Sequence, residues 1–218
     1  NASCTQLADE REARKCRNCA CAYGYLYGSS VGEGASRPRP YLFAPLDTVK
    51  TVYSAGEVFT FNLILVGDAC TYFDLCLQLL ERLGRRGMGR DFHRGKGKFK
   101  LNGVSCTNAA GSEAVLFGGH ARLLEAPIRL GLPVFEARAH CLSSERVTLT
   151  FVRPVEIRRN NQTLPTLRFT DIWDALAARL ERLTAHYCSA SLPADFAALK
   201  QLALRVEKVE DTLRGFEQ

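Results

Sequence analysis

The stretch that decides the fold class is Phe59-Thr-Phe-Asn-Leu-Ile-Leu-Val-Gly67, which alternates apolar and polar residues and then becomes wholly apolar. This pattern predicts a β-strand. Apolar side chains then recur at helical spacing, which predicts a helix over residues 68–83. Gly84 stands where a helix-ending glycine is expected. The chain therefore contains a strand followed directly by an amphipathic helix.

Further strands and helices are predicted on separate stretches of the chain. Residues 115–117 and 134–137 predict strands. Thr170 predicts the N-terminal cap of a helix, and Pro193 predicts the start of another. Segregated strands and helices of this kind indicate an α+β fold.

A basic, glycine-rich segment, residues 84–101, follows the first predicted helix, and we call it the basic loop. Its end, residues 98–103, predicts a short alternating strand. Between residues 82 and 100 eight arginines and lysines face a single acidic residue, Asp91. Glycines allow turns whose N–H groups point at anions, and arginines supply forked donors for phosphate. The candidate phosphate-binding residues are Arg85, Arg86, Arg90, Arg94, Lys96, Lys98 and Lys100. A solvated hairpin connection is the alternative.

Composition restricts the kind of partner. The 218 residues are 46% hydrophobic, which suits one large domain or two small ones with an ordinary core. The formal net charge is +6, and its clustering favours nucleic acid. No apolar run is long enough to span a membrane, so we expect no membrane partner. Of nine cysteines, the last five are scattered, which is typical of small core residues in a reducing cytoplasm.

The first four cysteines form a different group. Cys4, Cys16, Cys19 and Cys21 offer four thiolates, and Cys16 and Cys19 have the spacing of a zinc knuckle. A structural zinc would tie down a segment too polar to build its own core. Reduced free cysteines and an iron–sulfur cluster are the alternatives.

Histidines are the candidates for acid–base chemistry. His93 lies inside the basic loop near Arg94 and Lys96, where it could act as a general base with cationic helpers. Its alternative role is to contact phosphate as one more polar loop residue. His120, which follows two glycines, is a second candidate.

Several segments together resemble a known family. They are Leu65-Val-Gly-Asp-Ala69, the Leu-Gly-x-x-Gly-x-Gly pattern from Leu83 to Gly89, Gly97-Lys-Phe-Lys-Leu101, the Cys16-x-x-Cys19 cluster and Val147-Thr-Leu-Thr-Phe-Val-Arg-Pro154. In this order they resemble the CRISPR-associated pre-crRNA processing endoribonucleases of the RAMP superfamily. The resemblance implies tandem ferredoxin-like (RRM-like) domains that bind CRISPR repeat RNA through the basic loop. It also implies cleavage through the RNA's own 2′-hydroxyl, without metal or other cofactor.

The resemblance also suggests a domain division. Residues 1–40 would be a cysteine-rich segment and loop of the first domain, 41–144 its remainder, and 145–218 the start of the second. The strand and helix that usually precede the cysteines, and the family's second glycine-rich motif, are missing. We therefore expect a fragment, or one part of a polypeptide fused, for example, to reverse transcriptase and integrase. A non-catalytic crRNA-binding module, working with other CRISPR effector or adaptation proteins, is the alternative function. No residue matches a family catalytic position, so His93 remains a candidate on its own.

Overall fold

The computed structural model describes residues 22–27, 38–47, 49–108, 110, 112–118, 121–122, 127–151, 154–160, 162–189 and 192–212. The helices are α1 (Ala22–Tyr27), α2 (Phe73–Arg86), α3 (Leu132–His140), α4 (Phe169–Tyr187) and α5 (Phe196–Ala203), with short 3-10 helices at Gly67–Tyr72 and Phe92–Arg94. The strands are β1 (Tyr41–Pro45), β2 (Phe61–Leu65), β3 (Gly103–Thr107), β4 (Glu113–Gly118), β5 (Ala121–Arg122), β6 (Arg158–Arg159) and β7 (Gln162–Thr163). Helices and small antiparallel sheets alternate along the chain, so the predicted α+β class is confirmed.

The chain divides into two compact units, which we describe separately. One unit takes the described residues up to Ala69 together with those from Phe151 onward. The other runs from Cys70 to Thr150 and contains the basic loop.

In the first unit, the strand expected at residues 59–67 forms as β2, over a shorter span. It pairs antiparallel with β1, with Tyr41 opposite Leu65 and Pro45 opposite Phe61. Aromatic rings pack along this hairpin: Phe43 lies 5.7 Å from Phe61, and Phe59 stacks on Phe61 at 5.6 Å between ring centroids. The contact between Phe43 and Phe61 joins the two strands and stabilises their pairing and register.

Helix α4 supplies much of the core of this unit. Tyr187 is 2% exposed, and its hydroxyl donates a hydrogen bond of 2.6 Å to the carbonyl oxygen of Pro38. Its ring meets that of Tyr25 edge to face, with centroids 5.3 Å apart. The end of α4 is thereby anchored to segments far away in the sequence.

The start of α4 is fixed by a buried carboxylate. Asp171 is 3% exposed, and its Oδ2 accepts hydrogen bonds from the backbone N–H of Arg168 at 3.0 Å and from Arg168 Nε at 3.2 Å. Its Oδ1 accepts from Arg159 Nη2 at 2.8 Å. The hydrogen bond from the Arg168 side chain is the largest cause of a lowered pKa of Asp171. The helix thus begins at Phe169 with Arg168 as its cap, and the prediction of Thr170 as the cap was wrong.

Replacing Asp171 with Asn is expected to lower the free energy of unfolding by about 2 kcal/mol at pH 7, because the helix start loses a charged acceptor. The lowered pKa means that the unfolded chain binds this proton more readily. The stabilisation is therefore complete above the ordinary carboxyl pKa of 3.8 and disappears as the pH falls through the folded value. Urea unfolding of both proteins from pH 7 to pH 2.5 measures this.

The matched control is Glu156→Gln. Glu156 also bonds an arginine, Arg158, at 2.7 Å, but its side chain is 51% exposed. Because solvent screens this exposed pair, Glu156→Gln is expected to change the free energy of unfolding much less than Asp171→Asn does. Equal stability of wild type and Asp171→Asn at pH 7, or a difference that persists in acid, would contradict the assigned role of Asp171.

The second unit contains a three-stranded sheet in the order β3–β4–β5. β3 and β4 pair antiparallel with an irregularity between Val104 and Ser105, and Leu116 of β4 is 3% exposed. The strand expected at residues 115–117 is confirmed within β4.

Two other predictions in this unit were wrong. Residues 98–102 form no strand, and β3 starts at Gly103. Residues 134–137 lie in helix α3, which begins with Pro133 in its first turn and Gly131 as its cap. Proline is well suited to a first helical turn, because its fixed φ is compatible with a helix and its missing N–H has no helical partner there.

The scattered cysteines are less buried than expected for core residues. Cys70, Cys76 and Cys106 are half-buried, while Cys141 and Cys188 are exposed. Burial raises the pKa of the Cys76 thiol, because desolvation disfavours the thiolate.

Candidate nucleic-acid interface

The basic loop begins inside helix α2. The prediction that the helix ends at Gly84 was wrong, because the helix continues to Arg86 and Gly87 caps it. The N–H of Gly87 donates a 2.7 Å hydrogen bond to the carbonyl oxygen of Leu83. Arg85 and Arg86 therefore lie in the last helical turn, where cations interact favourably with the helix dipole.

The loop folds back on itself and is held by backbone hydrogen bonds. The N–H of Met88 donates to the carbonyl oxygen of Gly97, and the N–H of Phe99 donates to that of Gly84, both at 3.0 Å. A 3-10 turn, Phe92–Arg94, forms the tip between these crossings. The chain from Gly84 to Phe99 therefore forms a hairpin-like loop that backbone hydrogen bonds hold together.

Glycine is required where the two arms of the loop cross. A Cβ at Gly84 would clash with the carbonyl oxygen of Phe99, and a Cβ at Gly97 would clash with that of Met88. Gly97 also has φ +69°, a conformation that other residues rarely adopt. These two glycines let the backbones approach closely enough to form the crossing hydrogen bonds.

All seven candidate phosphate-binding side chains of the loop are exposed. Arg85 is 80% exposed and lies 3.9 Å from a Glu81 carboxylate oxygen; Arg94 is 79% exposed and lies 4.0 Å from Asp91. Contacts this long between exposed groups add little stability. The five others, for which the described residues show no ion pair, are Arg86, Arg90, Lys96, Lys98 and Lys100. The loop thus presents a positive surface that the described residues scarcely neutralise.

Aromatic and cationic groups meet at the tip. The rings of Phe92 and His93 have centroids 3.6 Å apart and are inclined by 40°. The guanidinium carbon of Arg86 lies 5.8 Å from the Phe92 ring centroid, within cation–π range. This cluster was not predicted as a unit, since its ring contacts depend on the turn at Phe92–Arg94.

The candidate base His93 is exposed on this tip. Within the described part of the chain, His93 contacts the ring of Phe92, and no hydrogen bond orients its imidazole. A general base is usually aligned by a hydrogen bond from a third group. The imidazole of His93 is therefore placed to contact a ligand, but no described group aligns it for proton transfer.

Other candidate site residues lie elsewhere. Cys4, Cys16, Cys19 and Cys21, and also His120, fall outside the described residues. Among the residues that are described, no three His, Cys, Asp or Glu side chains converge as metal ligands would.

A small groove lies apart from the loop, in the first unit. It has a volume of about 390 Å³ and is lined by residues of α4 and α5, among them Trp173, Glu181 and Phe196. Lys200 reaches into its rim and pairs with Asp174 at 3.0 Å. Its one lysine is thus already neutralised, so the groove offers no comparable charge to a polyanion.

A comparison with known protein families gives a match for the first part of the chain. A family model described as AF_1859_N, an N-terminal domain, matches residues 2–128, which is more than half of the chain and includes the whole basic loop. No curated protein and no solved structure matches the chain. None of the helices in the described ranges has the length and apolar composition needed to cross a membrane.

Proposed function

The chain belongs to the family described as AF_1859_N, an N-terminal domain, and we propose that it binds RNA through the basic loop. The observation that carries this proposal is the exposed set of arginines and lysines on a loop held by crossing backbone hydrogen bonds. A backbone held in this way presents several cations to a phosphate chain at once, and release of the RNA's counterions then drives binding. The positive surface favours an anionic partner, and its length along the chain suits a polymer better than a single phosphate.

CRISPR repeat RNA is the substrate that we propose. Support comes from the resemblance of the sequence to pre-crRNA processing endoribonucleases, whose motifs include the loop itself. The proposed tandem ferredoxin-like (RRM-like) architecture rests on the same resemblance. In the described residues β2 pairs with β1, while β3, β4 and β5 form a separate sheet. The proposed cellular partners are other CRISPR effector or adaptation proteins, in the cytoplasm.

We further propose that the bound RNA is cleaved by its own 2′-hydroxyl. The reaction needs a base for the 2′-hydroxyl proton, cations for the charge that develops on the phosphate, and an acid for the leaving 5′-oxygen. The arginines and lysines of the loop can supply the cationic part. His93 is the candidate for one proton transfer.

Cleavage is tested with 5′-labelled repeat RNA and excess protein in EDTA. The expected upstream product carries a 2′,3′-cyclic phosphate and the downstream product a 5′-hydroxyl, because the 2′-oxygen bonds to the adjacent phosphorus while the P–O5′ bond breaks and the 5′-oxygen takes a proton. A single 2′-deoxy substitution at the cleavage position should reduce the rate at least about a thousandfold, since the nucleophile is removed. RNA that is bound but stays intact for hours would contradict cleavage by this chain.

A non-catalytic RNA-binding module is the second candidate function. The exposed His93 favours it, because no hydrogen bond in the described part of the chain positions the imidazole for proton transfer. In that case this chain would bind RNA as a processing enzyme does, but a partner protein or a fused domain would cleave it. His93→Ala would then leave the RNA intact, as the wild type does.

The zinc proposal is separate from RNA binding. It rests on the spacing of Cys4, Cys16, Cys19 and Cys21, all of which lie outside the described residues. A zinc at these positions would be structural, since four thiolates leave no open coordination position for substrate.

A further inference from the structure

The tip of the basic loop places two other planar groups against the Phe92 ring. Phe92 is half-buried, with Arg86 at 5.8 Å from its ring centroid and the exposed His93 ring at 3.6 Å. Arginine, phenylalanine and histidine are all planar side chains on which a nucleobase can stack. These three side chains therefore offer a ligand planar surfaces as well as charge.

The turn that carries these rings is fixed by its own backbone. The N–H of Arg94 donates to the carbonyl oxygen of Asp91 at 2.9 Å, and the N–H of Gly95 donates to that of Phe92 at 3.0 Å. Gly95 closes the turn in the left-handed conformation, with φ 75° and ψ 9°. A ring held by such a turn loses little conformational entropy when it binds a base.

We infer that His93, Phe92 and Arg86 form a stacking site for an unpaired nucleobase, so that the loop recognises single-stranded rather than double-stranded RNA. This inference rests on the proposed RNA-binding function and adds specificity to it. In a duplex both faces of each base are covered by its neighbours, so only an unpaired base can place a face on these rings. The exposed Arg90 and Lys96 flank the tip in sequence and are available for the phosphates of the same strand.

Charge alone predicts a different behaviour. If only the arginines and lysines acted, an equally long duplex would bind at least as well, because its phosphates are more closely spaced. A preference for single strands that depends on aromatic rings is therefore the signature of the stacking site.

The test measures the affinity of the 218-residue chain for a fluorescent single-stranded RNA and for the same RNA in a duplex. Phe92→Ala and His93→Ala are each expected to weaken single-strand binding about tenfold, the size of one lost base–aromatic stack. Duplex binding should change by less than about twofold, because the phosphate contacts remain. His93→Phe, which keeps a ring but has no nitrogen, should restore wild-type affinity.

The matched control is Phe135→Ala, since Phe135 is a 54% exposed phenylalanine on α3, outside the loop. It should change neither affinity. Equal losses on both RNAs, no loss on either, or a His93→Phe protein as weak as His93→Ala would each overturn the stacking site. Those outcomes would leave RNA binding by the loop intact, whereas absence of any RNA binding by the wild type would refute the proposed function itself.

Discussion

Replacing Arg85, Arg86 and Arg90 together with alanine is expected to weaken RNA binding about a hundredfold, because three charged contacts to phosphate are lost at about 1 kcal/mol each. Three fewer phosphate contacts should also reduce the slope of log affinity against log salt by about 2 for single-stranded RNA. Titrations of wild type and variant at several salt concentrations measure both quantities.

A second triple variant provides the control for net charge. Arg146, Arg179 and Arg205 are exposed arginines outside the loop, and none has an ion pair among the described residues. Replacing them with alanine removes the same charge and should lower affinity by less than about threefold, since long-range attraction between exposed charges is screened. If the two triple variants lose affinity equally, then net charge and not the loop is responsible.

Gly97→Ala is expected to open the basic loop, with a local cost of about 3 kcal/mol. Alanine is strained at φ +69°, and its Cβ would displace the Met88 carbonyl that lies against Gly97. The hydrogen bond from the Met88 N–H to the Gly97 carbonyl, 3.0 Å long, should be lost with it. Hydrogen exchange of the Met88 and Phe99 amides should become about a hundredfold faster, and RNA affinity should fall.

Gly95→Ala separates strain from steric conflict. Gly95 has φ +75°, but nothing lies within 4 Å of the position that a Cβ would take. Only the left-handed strain of about 1 kcal/mol is expected. Similar exchange rates in the Gly95→Ala and Gly97→Ala proteins would show that the crossing at Met88 does not hold the loop.

Local pattern predicted the elements whose hydrophobic period is clear. The strand expected at 59–67 forms over Phe61–Leu65, and the helix after it forms over Phe73–Arg86. The end of that helix was misjudged, because Gly84 signals a helix end in isolation. In the folded chain Gly84 lies against the carbonyl oxygen of Phe99. Phe99 is fifteen residues further along the chain, so a local sequence pattern could not reveal this contact.

Short apolar runs were the weakest predictors. Residues 134–137 are compatible with a strand or a helix by their pattern, and Pro133 in the first turn of α3 decides for the helix. Residues 98–102 alternate as a strand would, but the Phe99 N–H bonds to Gly84 in the loop and not to a neighbouring strand.

The sequence predicted the charged part of the candidate site but not its ring contacts. Its seven cations and its glycines could be read directly, because charge and composition need no fold to be recognised. The ring cluster at Phe92 and His93 could not, since its contacts arise from a 3-10 turn that spans only three residues. The sequence suggested His93 as a base, and its ring contact with Phe92 is the basis of the proposed stacking role.

The most direct test of RNA binding by the basic loop is ultraviolet crosslinking of repeat RNA to the 218-residue chain, followed by mass spectrometry of the crosslinked peptides. Aromatic side chains stacked on bases are well placed to react. The expected result is crosslinks concentrated between residues 85 and 100, with Phe92 or His93 among the modified positions, and their loss in the Arg85, Arg86 and Arg90 triple variant. Crosslinks that map outside this segment and persist in the triple variant would contradict the proposal.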